Sequence, residues 1–163
     1  MVSPAAASAS PDRASRNDSD NVHVVCAHCN ATNRVPRARL DLDEGAKCGN
    51  CKQPLLTEHP FELTQANFDR QVAANDLPLV VDFWAPWCGP CRSMAPAYEQ
   101  AAGRLAPGVR LAKLDTEAHP EIAARFGIRS IPTLIAFKNG REVARRSGAS
   151  DLSGLLDWIR AHV

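Results

Sequence analysis

The 163-residue sequence has no apolar run approaching the length needed to cross a bilayer, so no membrane span is expected. Its first residues lack the apolar stretch of a signal peptide, so no secretory leader is expected either. Net charge is nearly absent, +1 at pH 7, which removes the case for nucleic acid or an anionic membrane as partner. Residues 1–21 hold no large apolar side chain after Val2 and are rich in Ala, Ser, Pro and Asp. Such a stretch cannot bury enough surface to offset the entropy of ordering it, and it is expected to be a disordered tail. Asp12, Asp18 and Asp20 argue against a basic transit peptide.

Unpaired cysteines are also missing. All six fall into C-x-x-C pairs: Cys26/Cys29, Cys48/Cys51 and Cys88/Cys91. That pattern points to metal binding plus redox chemistry in a reducing compartment, hence the cytoplasm, and away from a secreted disulfide scaffold.

Residues 22–57 are short of large side chains: Val25, Val35, Leu40, Leu42, Leu55 and Leu56 are too few for a self-supporting core. A unit this small needs a metal or disulfides. Cys26, Cys29, Cys48 and Cys51 follow C-x2-C-x18-C-x2-C, within the range of a four-cysteine zinc site. One structural zinc ion is favoured over two disulfides, and an iron site remains open because spacing does not choose the metal. Arg34, Arg37, Arg39, Lys47 and Lys52 are near enough in sequence to offset the charge of four thiolates. With four cysteines at hand, His28 reads as a bystander; His23, His59, His119 and His162 read as surface or capping residues.

The third pair sits in Trp84-Ala85-Pro86-Trp87-Cys88-Gly89-Pro90-Cys91, between an apolar run at 79–84 and an amphipathic stretch. A thiol at a helix start meets unpartnered N–H groups and the positive end of the macrodipole, and both favour thiolate at Cys88. Two intervening residues bring Cys91 round by one helical turn, close enough for a small disulfide ring. Pro90 suits the first turn, and Gly89 is expected to let the chain turn tightly between the sulfurs. The competing readings are a static disulfide or half a metal site.

From Phe61 onward elements alternate as in an α/β domain. Leu63, Thr64 and Phe68 suggest a staple and hydroxyl cap opening a helix. Cys91, Met94, Ala95, Tyr98, Ala102 and Leu105 form a helical stripe, with a kink expected at Pro96. Residues 109–115 read as a strand, and Pro120 opens a short helix closed by Gly127. Residues 133–137 and 142–147 form strands around an Asn139-Gly140 hairpin turn. A last helix from about Ser150 buries Leu152, Leu155, Leu156 and Ile159. Asp82 interrupts the 79–84 strand. A buried carboxylate there is costly, and it reads as a proton acceptor whose pKa is raised by desolvation. On pattern alone Lys113 is a surface lysine at a strand edge, and Pro132 merely opens a strand.

The Trp-Cys-Gly-Pro-Cys signature and the elements over 58–163 resemble the thioredoxin family, and the cysteine pairs ahead of them resemble its bacterial zinc-containing branch. The resemblance implies a thioredoxin-like α/β fold, a central mixed sheet flanked by helices, over 58–163, preceded by a zinc ribbon over 22–57. It implies a protein-disulfide reductase in which Cys88 attacks, Cys91 resolves, and buried Asp82, with Lys113 near it, assists deprotonation of Cys91. It further implies a cis Ile131–Pro132 bond against the cysteines. A partner-receiving rim would include Pro86, Trp87, Gly89, Pro90, Ile131, Gly148 and Ala149, with Trp84 packing beneath. Electrons would come from NADPH through a thioredoxin reductase, with no bound organic cofactor, and the chain would act as a monomer on disulfide-bearing proteins. The alternative function is a zinc-dependent redox sensor or interaction module on the same scaffold.

Overall fold

A computed structural model describes residues 20–41 and 45–163. The expected tail lies outside the described residues up to position 19, as does Leu42. Two antiparallel strands begin the described chain, β1 (Asn21–Val25) and β2 (Thr32–Pro36), with Val22 opposite Val35. The Cys26–Cys29 turn joins them, and Asn30 takes the positive φ of 64° that this reversal requires. A bridge between Lys47 and Pro54 closes the second cysteine turn in the same way, with Lys52 at φ 66°.

The remaining elements are β3 (Phe61–Leu63), α1 (Phe68–Ala73), β4 (Leu79–Trp84), α2 (Gly89–Leu105), β5 (Arg110–Asp115), α3 (Pro120–Arg125), β6 (Thr133–Lys138), β7 (Arg141–Ser147) and α4 (Leu152–His162). Their strands form one sheet in the order β3-β5-β4-β6-β7. The first three run parallel; β6 is antiparallel to β4, and β7 to β6. Asn139 and Gly140 both take positive φ, 54° and 76°, as a twist-matched hairpin turn demands.

Alternation along β4 sends Val80 and Asp82 to one face and Leu79, Val81 and Phe83 to the other. The first face packs Val80, Leu111 and Leu134 against Met94 and Tyr98 of α2 and Leu155 and Ile159 of α4. Tyr98, fully buried, donates its hydroxyl towards the carbonyls of Val80 (3.0 Å) and Ala112 (2.8 Å), tying α2 to both central strands. On the opposite face Phe68 of α1 and Ile122 of α3 cover Phe83, Leu114 and Phe137.

Three expectations need correction. The helical stripe of α2 also includes buried Ala101, while Ala95 is only half-buried. Helix α1 starts at Phe68 with Asn67 before it, so Thr64 is not its cap. Instead Asn67 Oδ1 accepts the Thr64 N–H at 2.7 Å, so the side chain reaches back from the turn to the residue expected to cap it. Finally, β5 lies between β3 and β4, so Lys113 is inside the sheet rather than at its edge.

The cysteine unit is docked on the domain rather than tethered to it. Leu77, from the turn before β4, completes the small core of Val22, Val24, Val35 and Leu55. Asp76 N–H donates to the His23 carbonyl, and the Asp76 carboxylate accepts the His23 N–H at 2.7 Å. Among the described residues no helix is long and apolar enough to cross a membrane.

Candidate redox site and metal centre

Strand β4 delivers the chain to the head of α2, and Cys88 becomes the N-cap of that helix with extended backbone. Cys88 and Cys91 form a disulfide, their Cα atoms 5.3 Å apart. The Cys91 N–H, one of the orphan donors of the first turn, points at Cys88 Sγ at 3.3 Å. Hydrogen bonding and the helix dipole therefore act on the Cys88 sulfur, while Cys91 lies one turn inside. Exposure separates the two very little, 4% against 2%, so position on the helix rather than access distinguishes them.

Gly89 does not play the part expected of it. The turn is made at Pro86 and Trp87, closed by the Cys88 N–H donating to the Ala85 carbonyl at 3.1 Å; Gly89 is the first helical residue, its φ is not positive, and a Cβ there would meet nothing within 4 Å among the described residues. Pro90 occupies the first turn, where no N–H is needed. The Ile131–Pro132 bond is cis, and the Ile131 carbonyl oxygen lies 3.7 Å from Cys88 Sγ. Trp84 and Ile131 pack against Cys88, Cys91 and Ala85. Trp87, beside Cys88 in the chain, is 69% exposed, an unusual place for an indole. Gly148, at φ 98°, donates its N–H to the Pro132 carbonyl and so joins the end of β7 to the site.

Asp82 is 1% exposed, and its Oδ1 has no hydrogen-bond partner among the described residues. Burial pushes its pKa up to about 7, against an opposing pull from Lys113 and with a smaller push from Glu62. The three residues share a row: Asp82 is registered with Lys113, and Lys113 with Glu62. The Lys113 ammonium lies 4.1 Å from the centre of the Trp84 ring, so it reaches under the active-site strand.

At the other cysteine unit the Sγ atoms of Cys26, Cys29, Cys48 and Cys51 all lie within 4.8 Å of one another. Cys26 and Cys51 sulfurs are 3.6 Å apart, Cys29 and Cys48 3.5 Å, too far for covalent bonds. Four sulfurs each about 2.3 Å from a central ion stand about 3.8 Å apart, so the cluster fits a tetrahedral metal. The His28 N–H points at Cys26 Sγ and the Asn50 N–H at Cys48 Sγ, both at 3.4 Å, as donors around thiolates should. The Cys51 N–H, with the Asn33 amide and Asn50 N–H, outweighs burial and holds Cys48 down at about 6. The Gln53 N–H would lower Cys51, but burial and the neighbouring sulfurs push it up to about 12. Sulfurs this close need a cation among them to ionise together. His28 is exposed and outside the cluster.

The thioredoxin family model matches residues 59–161. The chain belongs to the thioredoxin family. A second model, the N-terminal zinc ribbon of thioredoxin 2, matches residues 25–53 and spans all four clustered cysteines. The chain is 46% identical to thioredoxin C-3 of Corynebacterium nephridii over 136 residues, 83% of this chain and 92% of that protein. It is 43% identical to a thioredoxin of Porphyra purpurea and 39% to one of Rickettsia felis, over 63% and 62% of this chain and 95% and 96% of those proteins. Thiol–disulfide oxidoreductase activity follows from membership of the family.

A cleft of about 370 Å³ runs between the ribbon and the α2–β5 loop, but neither redox cysteine lines it. The sequence reading missed Arg110. It enlisted Arg34, Arg37, Arg39, Lys47 and Lys52 as counter-charges for the thiolates, and all five are exposed. Arg110 is 6% exposed and lies at the ribbon. The signal was available: like Asp82, it is a charge inside an apolar strand pattern, Val109-Arg110-Leu111.

Proposed function

We propose that the chain is a protein-disulfide reductase working through Cys88 and Cys91, with a structural zinc ion held by Cys26, Cys29, Cys48 and Cys51. The observation that carries the reading is the Cys91 N–H aimed at Cys88 Sγ at the head of α2. The Cys88 thiolate attacks one sulfur of a substrate disulfide; a Cys88–substrate bond forms, and the other substrate sulfur leaves as a thiolate and takes a proton from water. Cys91 then loses its proton to the Asp82 carboxylate and attacks Cys88 Sγ. The intramolecular disulfide forms, the second substrate thiolate leaves, and two electrons have passed to the substrate. An acceptor with a pKa of about 7 is matched to that proton at neutral pH, and Lys113 keeps a useful fraction of it ionised.

Trp87, Gly89, Pro90, Ile131, Pro132 and Gly148 form the surface that receives the substrate. The exposed Trp87 and the open space beside Gly89 support this, since both flank Cys88 in the chain. The disulfide is returned to the dithiol by a thioredoxin reductase drawing on NADPH, in the cytoplasm, and the chain works as a monomer. Residues 22–57 and 58–163 are its two domains. Bound zinc supplies charge neutralisation and a cross-link between the two cysteine turns.

The test is NADPH oxidation by thioredoxin reductase coupled to insulin reduction, with trapping by single-cysteine variants. Cys91→Ser should accumulate mixed disulfides through Cys88, and Cys88→Ser should not. Equal trapping by both variants, or no turnover by the parent chain, would overturn the assignment.

A further inference from the structure

Among the described residues, Asp82 and Arg110 are the buried charged side chains. Asp82 belongs to the redox site. Arg110, the first residue of β5, points to the other face of the sheet and reaches the ribbon. One guanidinium nitrogen, Nη1, donates to the Val25 carbonyl at 2.9 Å, Asn75 Oδ1 at 3.1 Å and Gln71 Oε1 at 3.2 Å. The guanidinium carbon stands 4.5 Å from the centre of the Phe61 ring.

Every one of those partners is neutral, and no carboxylate of the described residues pairs with this cation. A charge out of water with only neutral partners is costly unless an anion lies near. The anion at hand is the thiolate cluster, because Val25, whose carbonyl accepts from Arg110, directly precedes the ligand-position residue Cys26. Four thiolates around a divalent ion keep a net charge of minus two. The same polar cluster also clamps the cysteine turn itself. Gln71 Nε2 donates to the Cys26 carbonyl at 3.0 Å, and Asn75 Oδ1 accepts the Val25 N–H at 2.8 Å. The peptide between Val25 and Cys26 is thus gripped from the thioredoxin domain on both sides of the bond.

We propose that Arg110 is the buried counter-charge of the metal centre, a positioning residue from the thioredoxin domain that holds the Cys26 turn in ligating geometry and tightens metal binding. The inference rests on the metal reading of the cluster. Its force lies in direction: the thioredoxin domain contributes a buried charge to the metal site of the ribbon.

The experiment measures Zn²⁺ affinity of the full-length protein by competition with a chromophoric chelator. Arg110→Met and Arg110→Gln should weaken Zn²⁺ binding by about tenfold or more, the scale of a lost outer partner at a metal site. Arg110→Lys, which keeps the charge, should recover most of that loss. Insulin reduction by the metal-loaded variants should stay at the parent's level. A second readout is specific to charge: with iron in place of zinc, Arg110→Gln should shift the Fe(III)/Fe(II) balance towards Fe(III) by about tenfold, a potential lower by 59 mV. Should the Met variant fail to fold, the Gln and Lys variants still decide the matter. Zn²⁺ affinity in Arg110→Gln within twofold of the parent would overturn the proposal. So would Arg110→Lys binding as weakly as Arg110→Gln, which would assign Arg110 to contact geometry alone. A parent chain that binds no Zn²⁺ would bring down the metal reading itself, and the proposal with it.

Discussion

The ribbon and the thioredoxin domain solve the same problem of staying folded by different means. The domain buries apolar side chains on both faces of a five-stranded sheet, led by Tyr98 and Leu155 on one side and Phe68 and Phe83 on the other. The ribbon's core is Val22, Val24, Val35 and Leu55 with two cysteines of the cluster, and Leu77 borrowed from the domain. A small unit runs out of apolar surface before it has offset the entropy of ordering its chain, so metal and a neighbour must make up the difference. The two cysteine chemistries differ for a related reason. Cys88 and Cys91 stand at a helix head beside an exposed Trp87, where exchange with a partner is possible. The four ribbon sulfurs face one another, where a cation is needed to hold them together as thiolates.

The harshest way to break that comparison is to remove the metal. Binding of structural zinc in small peptides is worth on the order of 10–16 kcal/mol at neutral pH, far more than the ribbon's few apolar contacts. Substituting all four ribbon cysteines with serine should therefore unfold residues 22–57 while the five-stranded sheet persists. Circular dichroism, zinc content and insulin reduction would read this out. Complete loss of turnover, or collapse of the sheet, would show that the two regions are one folding unit.

Next in size is Asp82→Asn, which acts on the domain alone. The folded-state pKa of about 7 lies above the ordinary 3.8, so ionisation opposes folding. Below pH 3.8 the carboxyl is protonated in both states and Asp82 costs nothing by this route. The penalty grows as pH rises from about 4 to 7 and is complete above, on the order of 4 kcal/mol. Asp82→Asn should raise the urea midpoint at pH 8 and leave it nearly unchanged at pH 3.5, while slowing release of trapped substrate. An equal shift at both pH values would assign the cost of Asp82 to packing instead of ionisation.

Leu77→Ala tests the border. Truncating a buried leucine costs about 2–5 kcal/mol, and here the cavity opens in the ribbon's core although the residue belongs to the domain's chain. Zinc affinity should fall with stability in this variant. Val22→Ala, wholly within the ribbon, should weaken zinc binding without moving the unfolding of the sheet.

The smallest effect expected is that of Gly89→Ala. With open space at the Cβ position and a helical φ, the change should alter stability by less than about 1 kcal/mol, in the favourable direction that helix propensity gives. Its effect should appear instead in the second-order rate constant with protein disulfides, where a methyl group stands over the approach to Cys88. A destabilised Gly89→Ala protein would show that the chain needs a glycine to turn between the two sulfurs.

Much of this molecule was legible in its sequence because the signals were local. Cysteine spacing marked both cysteine sites, apolar patterns placed the helices and the strands β4 to β7 but not β1, β2 or β3, and Asp82 announced itself as a charge inside an apolar run. The misreadings share a cause as well. Thr64, Gly89 and Lys113 follow from rules about neighbours in the chain, and each is settled by a group elsewhere: the Asn67 side chain, the turn at Pro86 and Trp87, and the placement of β5 between β3 and β4. Arg110 shows this most clearly. The chain separates it from Val25 by 85 positions, and no spacing rule connects them. Local chemistry is written in the order of residues, so the sequence determined what the cysteines could do. Only the packing of the ribbon on the sheet decided which buried charge stands beside them, because burial and the cost of an unpaired ion exist only once the chain has closed on itself.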